Sequence, residues 1–342
     1  MNNLYVSSNF LLNSPKSVIS LSAVIYSVIN LLFIYPDLDY MTEQNNKTYL
    51  IGFILALSAG LIWSFGAPTV RYMIDAQIYQ WHYLFCRGIT VATILLIFLL
   101  YHEGLSFRHN FKRVGYSGLL GGIGLAFAFI FFIFGMTFTS AATTLFMIGT
   151  QPLFAGLFAY LFLREYMRTA TVIACLISLL GMVLMAYNDW NAGTILGWLF
   201  GLFCSIGFAI FAVTLRWQPD TPKFTTIIIA GIFCALFSLV MIIIFTDSYT
   251  MPVRNIYLSM LHGTFVATGL ILLSIGARYL PAAEFMLLSL TEVIGGVIWC
   301  WIPLFGVNEV PGAYTLIGGF VIIIAIAFHA IGTRQKVNPP TL

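Results

Sequence analysis

The chain has 342 residues, 60% hydrophobic and only 8% charged, with a mean hydropathy of +0.96. A soluble globular domain is about 25% charged, so this chain cannot cover itself with a water-compatible surface. The composition excludes a soluble fold and calls for an all-α integral membrane protein, with the lipid bilayer as partner. A net charge of +3 is too small to point to nucleic acid.

Residues 1–47 read as an N-terminal extension. Within it, residues 17–35 are moderately apolar and read as an eleventh helix or a signal-like segment. Only Lys16 flanks them, and no small-residue cleavage pattern follows. Met41, followed by the polar TEQNNK, is a candidate natural start, and the rest of the chain is expected to work without residues 1–40. Asn46-Lys47-Thr48 matches a glycosylation sequon but falls on the expected cytoplasmic side, so it reads as chance.

A bilayer core needs about 20 mostly apolar helical residues. Ten runs qualify: 49–70, 81–101, 114–137, 141–163, 169–187, 194–215, 224–246, 257–277, 281–305 and 312–332. Their length excludes a strand-built barrel. The joints carry breakers and charges. The tightest, near Ser140, has no charge and predicts a hairpin between the third and fourth runs. Basic residues in short loops set orientation. Eleven (Lys47, Arg108, Lys112, Arg113, Arg164, Arg168, Arg216, Lys223, Arg278, Arg334, Lys336) fall on one side and two (Arg71, Arg254) on the other. The ten-helix unit is therefore expected to begin and end in the cytoplasm, spanning the cell (inner) membrane. The cysteines stand singly in apolar runs and read as small buried hydrophobes. No metal or cofactor is expected.

The two halves can be laid on each other. SAATTLFMIGTQP from Ser140 aligns with PAAEFMLLSLTEV from Pro281 at a constant offset of 141. GFILALSAGLIWSFGAPTVRY from Gly52 aligns with GWLFGLFCSIGFAIFAVTLRW from Gly197, with Arg71 over Arg216. Each half holds five runs, and an odd number inserts the second copy upside down. The expected domains are two inverted five-helix repeats, 48–188 and 189–333, followed by a cytoplasmic tail, 334–342. Inverted repeats around a midplane site are the plan of many secondary transporters.

Several local patterns accompany this layout. They are Trp63 and Pro68 in the first run, Arg87 early in the second, and Pro152 with Leu163-Arg164-Glu165 closing the fourth. The second half has Thr291-Glu292, Asn308-Glu309-Val310-Pro311 and Gly318-Gly319. With the repeat, they make residues 48–333 resemble the EamA family of the drug/metabolite transporter superfamily. The resemblance implies secondary transport, usually export, of small metabolites such as amino acids. It also implies a central cavity formed by helices one, three, four, six, eight and nine. The chain departs from the pattern at Val293, where the family often has proline, and in the longer spacing from Glu292 to Glu309. That spacing makes the end of the ninth run irregular around Pro303.

Two carboxylates lie in the ninth run, where crossing a membrane requires none, and a charge at mid-bilayer costs roughly 3 kcal/mol on insertion scales. Glu292 reads as a proton or cation site or a partner for a substrate amine; the plainer reading is a hydrogen bond to a neighbouring helix. Its repeat mate, Gln151, keeps the shape without the charge. Glu284 lies near the cytoplasmic end beside Arg278, as an edge ion pair or a gate. Its mate Thr143 shares a helical face with Met147 and Gln151; that stripe is either a cavity wall or ordinary packing. Arg87 snorkels to headgroups, meets a substrate carboxylate or pairs with Asp75. Trp63 packs or acts as a cavity lid, on a helix whose kink at Pro68 marks an outer gate. His262 and His329 read as structural.

The expected function is therefore a secondary transporter, an exporter by class, for a small-molecule substrate, with proton coupling at Glu292. A channel-like facilitator is the alternative. An intramembrane enzyme has less support, since no HExxH or paired-aspartate metal motif occurs. The GxG within residues 121–129 lies inside an apolar helix and reads as packing.

Overall fold

The computed structural model describes residues 45–187, 195–218, 220–302, 307, 310 and 312–332. The expectations for residues 1–44, Pro303, Glu309 and the tail 334–342 lie outside them, as does the side chain of Thr143. Every regular element among the described residues is helical. In hydrocarbon a backbone N–H or C=O finds no water, so each apolar run must bond within itself.

In chain order, α1 (Asn45–Trp63) and α2 (Gly66–Arg71) are separated by a two-residue turn. α3 (Gln80–Glu103) leads through a short 3-10 turn and the surface helix α4 (Arg108–Arg113) to α5 (Gly115–Phe138). The tight joint at Ser140 then reverses the chain into α6 (Ala141–Ile148), which a turn separates from α7 (Gln151–Phe158). A π turn extends α7 over Ala159–Leu163. α8 (Thr169–Tyr187), α9 (Ile195–Trp217), α10 (Lys223–Phe245) and α11 (Val253–Gly276) are unbroken. α12 (Ala282–Leu288) and α13 (Thr291–Trp301) share another divided run, and α14 (Ala313–Gly332) follows. Prolines 222, 252 and 281 stand at the caps of α10, α11 and α12, where a missing N–H costs nothing.

Among the described residues, seven stretches are long and apolar enough to cross a membrane: Thr48–Arg71, Gln80–Glu103, Gly115–Phe138, Leu196–Trp217, Lys223–Phe245, Val253–Gly276 and Glu284–Trp301. Three shorter apolar helices, Gln151–Leu163, Thr169–Leu184 and Leu316–His329, accompany them. The chain is a multi-pass membrane protein.

The sequence reads 49–70, 141–163 and 281–305 as single helices; the structure divides each of them. Two divisions follow from proline, which cannot donate to the carbonyl four residues back. Pro68 leaves the carbonyl of Ser64 without its helical donor, and Pro152 does the same to Ile148. The third has no proline. There Ser289 and Thr291 turn their hydroxyls back onto Met286 O (2.8 Å) and Leu288 O (3.3 Å), the local competition by which Ser and Thr loosen helices.

Helix pairs cross where glycines meet. α3 packs on α10, α5 on α9 and α8 on α14. A Cβ on Gly88 would lie 2.7 Å from the carbonyl oxygen of Gly231, and one on Gly231 would lie 2.8 Å from that of Gly88. Gly124 faces Gly207, and Gly181 faces Gly318 in the same way. Small residues at crossings let backbones approach closely where no hydrophobic force drives helices together. Gly231→Val is expected to cost about 1–3 kcal/mol through overpacking against backbone. Gly319→Ala, whose Cβ meets nothing within 4 Å, should hold or raise stability by up to about 1 kcal/mol through helix propensity. Thermal unfolding of the two purified variants, followed by circular dichroism, checks the contrast; equal losses would refute it.

Candidate functional site

Two of the divided helices face each other. The turn at Ser64–Phe65 lies against α13, and the turn at Ser289–Leu290 lies against Gly60 of α1. A Cβ on Gly60 would collide with Thr291 Oγ1 and come within 2.7 Å of Ser289 O, and one on Gly295 would come within 2.6 Å of Ser64 Cβ. Thr291 Oγ1 donates to Leu57 O at 3.4 Å. Trp299 Nε1 donates to Ser64 Oγ at 2.8 Å, and Ser64 Oγ donates to Leu61 O at 2.6 Å. The ring of Phe65 stacks on Trp299 with centroids 4.8 Å apart. At the third division, Ser205 of α9 donates to Met147 O (2.7 Å) and Ile148 O (3.1 Å). It thereby serves the carbonyl that Pro152 leaves open.

Beside these turns sit two opposite charges. Glu292 is in the first turn of α13 and half-buried. Arg87 of α3 is 2% exposed. Its guanidinium lies over Phe129 (4.8 Å) and Phe132 (5.6 Å), and Nη1 makes a long 3.4 Å bond to Phe129 O. Its Nε has no hydrogen-bond partner among the described residues. Arg87 and Glu292 lie within electrostatic reach of each other, yet no contact ion pair joins them among the described residues. One turn before Arg87, Tyr83 OH lies 3.0 Å from His262 Nδ1 and 3.2 Å from Leu258 O. His262 Nε2 abuts Gly66, where a Cβ would lie 2.8 Å away.

The remaining candidates fall in different places. Gln151 opens α7 and is buried; Met147, in the last turn of α6, is half-buried. Thr143 lies on α6 with its side chain outside the described residues. Trp63 packs on Phe208 (5.6 Å) and Gly269 and donates to Val266 O at 3.4 Å. Pro68 is buried within α2. Arg87 is buried and, among the described residues, is not paired with Asp75, which is exposed. Glu284 is buried, at 1% exposed, whereas Arg278 faces outward. Its partners are Arg168, Thr171 and His329.

Ser64, Ser205, Tyr83 and His262 were not singled out as site residues. Tyr83 and Arg87 do carry a signal, being polar groups at i and i+4 on an apolar helix. Tyr83→Phe leaves a buried imidazole nitrogen without its hydroxyl and should cost about 1–3 kcal/mol. Thermal unfolding of the purified variant measures it; wild-type stability would show that the Tyr83–His262 bond contributes nothing.

Residues 50–187 match the EamA-like transporter family. The chain is 26% identical over 304 residues to the uncharacterized transporter YdfC of Bacillus subtilis (strain 168), a match covering 86% of this chain and 94% of the relative. A solved crystal structure, 19% identical, superposes with a TM-score of 0.65 over 84% of this chain and 98% of the other; at that identity the likeness is one of fold. By its helices, by the match of residues 50–187 to the EamA-like transporter family and by its transporter-named relative, this chain is a membrane transporter.

Proposed function

We propose that the chain is a secondary transporter that exports small metabolites, amino acids or related compounds, by alternating access around a midplane cavity. The observation that carries this reading is the pair of opposite charges, Glu292 and Arg87, held near each other but out of contact beside divided helices. Uncompensated charges inside a membrane protein are expensive and mark substrate or ion paths. A zwitterion bridges such a pair, its carboxylate on the guanidinium and its amine on the carboxylate. Gln151, Met147 and Thr143 then form the facing wall, Trp63 a lid, and Pro68 the kink of the first helix. With substrate absent, a proton on Glu292 relieves the same charge and supplies coupling.

The alternating-access scheme uses ten spanning helices, the seven long stretches and the three shorter ones, arranged as inverted repeats over 48–188 and 189–333. Several contacts support this symmetry. Arg71 Nη2 donates to Thr139 O at 2.9 Å, and its repeat mate Arg216 donates through Nη1 to Leu280 O at 2.9 Å; Thr139 and Leu280 are themselves mates. Trp63 and its mate Phe208 touch each other. Gly60 and its mate Ser205 each lie against a helix division. The asymmetry of basic loop residues favours cytoplasmic ends for the ten-helix unit and insertion in the cell membrane. A facilitator with a continuous pore is the second reading, and counterflow of labelled substrate in liposomes separates the two, because exchange requires a carrier.

A metabolite-resistance and export screen on overexpressing cells identifies the substrate. In liposomes, Glu292→Gln should then keep exchange at saturating substrate, with weaker binding, but lose pH-driven net transport; unchanged pH dependence rules out coupling at Glu292. Arg87→Gln removes a charge-assisted contact and should weaken substrate binding about 10–100-fold; unaltered affinity removes Arg87 from the site. Cysteines at Thr143, Met147 and Gln151 should react with water-soluble thiol reagents and be protected by substrate. Labelling of the opposite face instead would reject that wall.

A further inference from the structure

A second ionisable group lies away from the central site and plays no part in it. The carboxylate of Glu284, on α12, is 1% exposed. Its Oε1 meets Arg168 Nε at 3.4 Å and the hydroxyl of Thr171 at 3.5 Å. Its Oε2 lies 3.8 Å from Nε2 of His329, on α14, and has no hydrogen bond among the described residues. His329 is fully buried and also faces Tyr49 OH of α1 at 3.5 Å. The other charged groups nearby are Arg216 of α9 and Glu165, which neutralise each other at 2.8 Å. The cluster borders an open cleft of about 280 Å³, open solvent included. Glu165, Tyr166, Met167, Arg168, Thr171 and Glu284 are among its lining residues. Arg168 differs from the rest in being 42% exposed at its side chain.

The charges balance in one state only. With Glu284 ionised and His329 neutral, Arg168 and Glu284 cancel and the buried cluster is neutral. One added proton, on either the carboxylate or the imidazole, makes it +1. Burying a net charge costs several kcal/mol. The cheapest relief is to move the group already half in water. If the proton sits on Glu284, Arg168 loses its counter-ion; if on His329, two cations share one carboxylate. In both cases Arg168 is driven outward, and it belongs to the segment that walls the cleft. That segment is short and irregular, running from Arg164 in the left-handed region (φ 55°) to the start of α8 at Thr169.

We propose that Glu284 and His329 bind one proton between them, apart from Glu292, and that this proton releases Arg168 and opens the cleft. The cluster is then a proton-operated gate at the end of the molecule that carries Arg164 and Arg168.

The test needs no substrate, so its outcome is independent of what the transporter carries. A nitroxide is attached at Tyr166→Cys, an 83% exposed position on the gating segment, in purified protein in lipid nanodiscs. Its mobility is read by electron paramagnetic resonance between pH 8 and pH 5. The label should be restrained at pH 8 and mobile at pH 5. Glu284→Gln, which is neutral at every pH, should leave it mobile throughout. His329→Gln removes one proton holder and should move the midpoint by at least about one pH unit; it also serves if Glu284→Gln does not fold. Arg168→Gln should abolish the transition. Mobility that ignores pH overturns the proposal. So does a transition that survives unshifted in His329→Gln, or a Glu284→Gln protein as restrained as wild type at pH 8.

Discussion

The bilayer core offers no water to an open backbone group, and everything else in this protein has to work within that limit. Three of its apolar runs are nonetheless broken near their middles. Each break is tolerated because something inside the protein takes over the lost bonds. Ser205 on α9 reaches the carbonyls of Met147 and Ile148. Ser289 and Thr291 serve Met286 and Leu288 locally, and Thr291 also reaches across to Leu57. Breaks of this kind are confined to backbone that faces protein or a cavity, so their presence already says where a cavity can be.

The breaks also decide which polar side chains can be held inside. An unbroken ninth helix would present Glu292 as one more charge on a rod. The turn at Ser289–Leu290 instead puts it in the first turn of α13, where the free N–H groups of a helix start favour an anion. Arg87 is held by aromatic faces and one long hydrogen bond rather than by an acid. A guanidinium so held keeps most of its five donors for something else. Glu292 and Arg87 differ in this from Arg216 and Glu165, which meet at 2.8 Å.

Much of this was legible in the sequence, for physical reasons. Long apolar runs announce helices because hydrocarbon allows little else. The reversal at Ser140 followed from two runs meeting with almost nothing between them. The divisions were harder. Pro68 and Pro152 were visible, but a proline in a membrane helix bends it as readily as it breaks it. The division before Glu292 has no proline at all and depends on Ser and Thr hydroxyls, whose choice between solvent-like and backbone partners is made by neighbours remote in sequence. Glu284 shows the same limit. Arg278 is near it in sequence, but the structure pairs Glu284 with Arg168 and His329, contributed by the segment before α8 and by α14. Sequence distance ranks partners well inside one helix and poorly across a bundle.

The two carboxylates of the ninth run are eight residues apart, and on a single rod they would move together. The structure puts a two-residue turn between them, with Glu284 on α12 and Glu292 on α13. α12 packs on α7, and α13 on α6 and α2, so the two half-helices are held by different neighbours. Residues at a turn can absorb a change in backbone angle that a continuous helix would transmit. In the scheme proposed above, a proton at Glu284 and a substrate at Glu292 can then act in succession rather than at once. Alternating access requires that order, and a carrier whose gate and site were locked to one rigid helix would have no means of producing it.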